Sequence, residues 1–105
     1  MGWATGHIEK LKQGNTVICR PRGNSMNPKI KSGQKCTIDP IEDYKDVRKG
    51  AIVLCKINGK EYLHLVKAVR TNTFSTSYLI GNNQGKDNGW VRRGAIFGLL
   101  TKVES

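Results

Sequence analysis

Acidic residues are scarce in this 105-residue chain: 8 Asp and Glu stand against 18 Lys and Arg, a formal net charge of +10. A field of that sign turns away basic partners and favours nucleic acid, an acidic protein or an anionic surface. Aromatic residues make up only 7 % of the chain. Few of them interleave with the basic ones, so nucleic-acid contact is expected to be dominated by phosphate and weakly specific. Cysteines number three, Cys19, Cys36 and Cys55, an odd count without a close pair. That excludes a full disulfide framework and a zinc-knuckle spacing. A reduced, cytoplasmic setting is expected, with the thiols as buried structural residues in strand-like runs. No apolar run approaches the ~18 residues that suggest a membrane span, and the first residues lack a signal-peptide core. The expectation is a soluble protein without a transmembrane anchor. No metal-ligand cluster, phosphate-cradling glycine loop or carboxylate pair stands out, so neither metal nor cofactor is expected.

What is present fits one domain spanning residues 1–105. Trp3, Ala4, Ile8 and Leu11 recur near a 3.6-residue period and predict one short amphipathic helix over residues 3–12, stopped by Gly14. From about residue 16 to 103 the pattern is that of strands: Thr16–Cys19, Lys35–Asp39, Ala51–Ile57, Glu61–Arg70, Tyr78–Ile80 and Ala95–Val103. Asn58-Gly59 is a two-residue hairpin signal, so the strands on either side run antiparallel. Gly81–Gly89, rich in Gly, Asn and Asp, reads as a tight loop. Gly98 inside the last strand suggests a bulge or a close backbone approach. No internal repeat and no helix-turn-helix is found. The fold class is mostly β, with coiled, barrel-like antiparallel sheets.

Candidate chemistry centres on Gly23-Asn24-Ser25-Met26-Asn27-Pro28, followed by a second turn at Gly33. Ser25 sits on a glycine-bounded turn where its hydroxyl is exposed and backbone N–H groups, including its own, can face an oxyanion. A serine hydroxyl needs a base to become a nucleophile. His64 supplies an imidazole that is mostly neutral at pH 7. Alternation puts Tyr62, His64 and Val66 on one face and turns Lys67 to the other. Asp87 is either the third member that orients the imidazole or an Asx-turn residue. Met26 and Pro28 shape the site, and Trp90 either lines a substrate cleft or packs. Arg20, Arg22, Lys29, Lys31, Lys35, Arg92 and Arg93 form a candidate basic rim.

The Ser-Met box, Gly33, Gly50-Ala51-Ile52-Val53, the strand of His64, and Gly81-Asn82-Asn83 with Asp87, Trp90-Val91 and Gly98 occur in an order that resembles the signal peptidase and LexA-type self-cleaving repressor superfamily. The resemblance runs from about Cys19 to Val103. Most members use a lysine base, whereas the endoplasmic-reticulum signal peptidases have a histidine at the place of His64-Leu65-Val66. The resemblance therefore implies a Ser25–His64 pair in a serine peptidase-like fold.

Two functions follow. The first is a small soluble serine endopeptidase acting on an extended peptide or protein substrate. Self-cleavage is not expected, with only about twenty residues before the box. The second is a catalytically silent binding module of the same fold, with Gln34, Ala51 and Asn82 where the family has acidic residues. It would hold an acidic protein or nucleic acid, and its minimal size and charge would suit a phage or mobile-element protein.

Overall fold

The computed structural model describes residues 2–105. One helix, α1 (Thr5–Lys12), precedes seven strands: β1 (Val17–Cys19), β2 (Lys35–Pro40), β3 (Ile52–Ile57), β4 (Lys60–Thr71), β5 (Thr76–Gly81), β6 (Asp87–Arg92) and β7 (Ile96–Glu104). They form a single curled sheet in the order β1-β2-β7-β3-β4-β5-β6, antiparallel throughout. The fold is mostly β, with one helix near the N-terminus.

The core divides across the middle strand, because successive side chains of a strand point to opposite faces. Leu54 joins Ile8, Leu11, Met26, Ile30, Ile38 and Leu63 on the side covered by α1 and the Ser25 loop. Val53 and Cys55 join Val47, Val66, Tyr78, Ile80 and Ile96 on the other. Both faces of β3 are therefore dry, which explains its unbroken Ile-Val-Leu-Cys run. In α1, Ile8 and Leu11 are buried with Ala4 just before it. Trp3, expected in the helix, lies outside it and keeps half its surface in solvent.

The β3–β4 hairpin turns on Asn58 and Gly59, with φ of 50° and 81°, the positive pair that two-residue turns of the primed type require. A strand absent from the sequence reading is β6: Asp87–Arg92 pairs with β5, Ile80 opposite Gly89 and Leu79 opposite Trp90. Asp, Asn and Gly are poor strand formers, yet an edge place on a finished sheet overrides that preference. The loop proper shrinks to residues 82–86.

Gly98 is buried where β7 crosses beneath the helix. A Cβ there would stand 2.5 Å from Ile38 Cγ2 and 2.8 Å from Leu11 Cδ1. Gly6, within α1, would meet nothing within 4 Å. The two glycines therefore respond oppositely to the same methyl group. Gly98→Ala should destabilise by ~1–3 kcal/mol through overpacking, and Gly6→Ala should stabilise by ~0.5–1 kcal/mol through helix entropy. Urea titrations of the two variants check both signs.

Candidate active site

The residues between β1 and β2 form no regular element. They are held by side chains and by the far hairpin. Gly23 N–H donates to Ser32 Oγ at 3.1 Å and Gly33 N–H donates to the Pro21 carbonyl at 2.8 Å, closing the base of the loop. Met26 and Ile30 are buried and anchor it to the core. From the β5–β6 turn, Asn83 N–H donates to the Ser25 carbonyl at 2.8 Å. The Asn83 and Gln84 side-chain amides both donate to the Asn27 carbonyl, at 2.8 and 2.9 Å. Anchored on both sides, Ser25 is left exposed at the tip.

β4 brings His64 beneath it. Ser25 Oγ and His64 Nε2 are 3.3 Å apart, and His64 Nδ1 lies 2.7 Å from Asn88 Oδ1. A carboxamide oxygen only accepts, so Nδ1 carries the proton and the Nε2 lone pair faces the serine. The imidazole is buried and lies against the Tyr62 ring at 4.9 Å between centroids. Burial lowers its pKa below the ordinary 6.5; the Asn88 hydrogen bond opposes this and the Lys86 charge adds to it. The ring is therefore neutral at pH 7, the state in which Nε2 can accept a proton.

A cleft of about 720 Å³ opens over this pair. Trp3, Met26, Ile30, Tyr62 and Leu63 give it apolar walls, and Arg20, Arg22 and Lys86 give it positive charge. Its one carboxylate, Glu61, accepts from Ala4 N–H at 2.7 Å and from the Thr5 hydroxyl at 2.8 Å. The Trp3 indole N–H donates to the Glu61 carbonyl at 3.1 Å. Strand β4 thus fixes both the imidazole and the Trp3 wall.

Several expected site residues stand elsewhere. Asp87 does not reach His64; its Oδ1 pairs with Lys67 Nζ at 2.8 Å. The place expected of it is filled by Asn88, the extra residue of a bulge in β6 where the pairing steps from Ile80–Gly89 to Gly81–Asp87. Lys67 sits at a register shift between Val66 and Ala68 and is committed to Asp87. Pro28, Lys29 and Lys31 are exposed on the Ser25 loop without lining the cleft. Lys35 lies 3.9 Å from Glu104 at the end of β7. Trp90, Arg92 and Arg93 belong to another surface: Trp90 takes the Arg70 guanidinium over its ring, and the other two line a depression beside Phe74. Of the expected rim, Arg20 and Arg22 border the cleft.

The site also contains Asn88, Tyr62, Trp3 and Lys86, which sequence reasoning did not place there. Tyr62 was legible from alternation with His64. Asn88 is turned to the cleft by a bulge set by pairing with β5, which the sequence does not signal.

The Peptidase S24-like family profile matches residues 4–91, a span that contains Ser25, His64 and Asn88. The chain belongs to that family. It thus falls within the LexA and signal peptidase superfamily, and the fold is serine peptidase-like. No curated protein matches the chain. Among the described residues, no helix is long and apolar enough to cross a membrane.

The protonation state of His64 is directly measurable. Because its folded pKa is lowered, the neutral ring adds stability above pH ~6.5 that is lost as pH falls through the folded value. In a proton NMR titration, the His64 midpoint should lie below 6.5. Asn88→Asp, which sets a carboxylate against Nδ1, should move the His64 midpoint upward. An unchanged midpoint in that variant would show that residue 88 does not hold the ring.

Proposed function

We propose that this S24-like protein is a serine endopeptidase with Ser25 as nucleophile, His64 as general base and Asn88 as the residue that orients the imidazole. The observation that carries this reading is the 3.3 Å approach of Ser25 Oγ to a buried, neutral His64 whose other nitrogen is already occupied. Such a contact tightens when substrate fills the cleft.

In this reaction Oγ attacks the peptide carbonyl carbon as its proton passes to Nε2. The tetrahedral oxyanion faces the Ser25 N–H, which no hydrogen bond among the described residues occupies. Collapse breaks the C–N bond, and His64 returns the proton to the leaving amine. Water then attacks the ester, deprotonated by the same nitrogen, and frees Ser25. Asn88 fixes the tautomer through all these steps but offers no negative charge to the imidazolium, a weaker arrangement than an aspartate would give.

The substrate is an extended peptide lying against Arg20–Gly23, the continuation of edge strand β1. Arg20, Arg22 and Lys86 face it, while the cleft's one carboxylate is spent on α1. Acidic side chains near the scissile bond are therefore preferred. The protein needs neither metal nor cofactor for this chemistry.

A serine-directed fluorophosphonate should add one adduct mass to the wild type and none to Ser25→Ala. His64→Ala should lower turnover by about 10²–10⁴-fold, the usual contribution of a general base. Absence of any adduct on Ser25 would leave the protein a silent binding module of this fold. With active protein, peptides carrying Asp or Glu beside the cleaved bond should outperform Lys-bearing ones, and Lys86→Ala should narrow the gap. Equal rates on both would refute the acidic preference while leaving the peptidase standing.

A further inference from the structure

The positive charge of the chain is not confined to the cleft. On the other side of the sheet, cross-strand register puts Ala68, Leu79 and Trp90 in one row, and Arg70, Ser77 and Arg92 in the next. Their alternates Tyr78 and Val91 are buried. The rows therefore lie on the outward face of β4, β5 and β6. Trp90 is 43 % exposed there, with the Arg70 guanidinium 4.3 Å from the centre of its ring. Beyond the second row, Phe74 stands 94 % exposed at the tip of the β4–β5 turn and shares a depression with Arg92 and Arg93. Rows two residues apart along a strand are separated by ~7 Å. Trp90 and Phe74 thus stand at successive levels of this part of the molecule, with Arg92 at the level between them. No Asp or Glu occurs from Ala68 to Leu79 or from Asn88 to Gly94.

We propose that this outward face binds single-stranded nucleic acid, with bases stacking on Trp90 and Phe74 and phosphates held by Arg70, Arg92 and Arg93. Alternating stacking platforms and cations are what a strand with free bases recognises, since every base has a π face and every link carries a charge. A sheet face that offers an indole beside guanidinium groups, with no carboxylate, suits that ligand. An acidic protein would use the arginines and leave the rings idle. An anionic lipid surface would need more than Phe74 as a protruding apolar residue. The surface is separate from Ser25 and His64, so binding there does not depend on peptidase activity.

Fluorescence anisotropy with labelled dT12, U12 and a 12-base-pair duplex, at 50 and 200 mM salt, tests the proposal. The single strands should bind more tightly than the duplex, and dT12 against U12 tells whether DNA or RNA is preferred. Arg70→Ala/Arg92→Ala should weaken binding and reduce the slope of log affinity against log salt by about 0.7 per phosphate contact removed. Trp90→Ala should weaken binding by about tenfold or more, with Trp90→Phe recovering most of it, because a phenyl ring still stacks. Arg22→Ala, in the cleft, should leave affinity unchanged. In a Trp3→Phe background the remaining Trp90 emission should be quenched on titration. Duplex binding as tight as single-strand binding, affinity lost through Arg22 but not Trp90, or no binding to any strand at 50 mM salt would each overturn it. Sedimentation with anionic vesicles that depends on Phe74, without oligonucleotide binding, would assign the face to lipid instead.

Discussion

The hydrogen bond from Asn83 N–H to the Ser25 carbonyl joins two segments that no strand pairing connects. Without it, and without the two side-chain amides that Asn83 and Gln84 aim at the Asn27 carbonyl, the serine loop would be held only by Met26, Ile30 and its own base. The β5–β6 hairpin also carries Asn88, which sets the His64 tautomer. One hairpin therefore positions Ser25 through its turn and His64 through its second strand. Its docking against the rest of the sheet makes or unmakes the site as a unit, whatever the stability of the helix side of the core.

The middle of the molecule does the complementary work. β4 pairs with β3 and β5 along its length, and over seven residues it commits Glu61 to the start of α1, His64 to Ser25 and Lys67 to Asp87. Such density is workable because each polar side chain that β4 carries inward has a partner, as burial demands. Burial keeps the imidazole neutral, and no carboxylate counters it: Asp87, the nearest acid in sequence to Asn88, is engaged by Lys67, and the residue that does touch Nδ1 is uncharged.

The strands with apolar or β-branched runs were legible in the sequence, and so was the Asn58-Gly59 turn, since local chemistry alone specifies them. The Ser25 and His64 positions were found through a family pattern; composition would have offered only a turn serine and a strand histidine. What stayed hidden was set by pairing. β6 has the residues of a loop and became a strand because β5 presented an open edge. That single error in element type exchanged Asp87 for Asn88. It also sent Arg92 and Arg93 into a supposed rim around Ser25 and left Trp90 as a cleft or packing residue, when the pairing of β6 with β5 places Trp90 and Arg92 on the outside of the sheet. Trp3 was assigned to a helix face, though Glu61, fifty-eight positions away, holds it at the cleft.

Glu61 gives the cleft a property independent of its chemistry. The wall formed by Trp3 is not part of the sheet; it rests on a carboxylate that ties Ala4 and Thr5 to the strand carrying His64. Even Gly2 is part of the fit, since a Cβ there would run into the Glu61 carboxylate. The width of the groove is therefore written in a few residues ahead of the helix, which evolution can exchange one at a time while Ser25, His64 and Asn88 stay untouched. The Trp3 wall and the Ser25–His64–Asn88 cluster reside in different parts of the chain, and each is free to drift at its own rate.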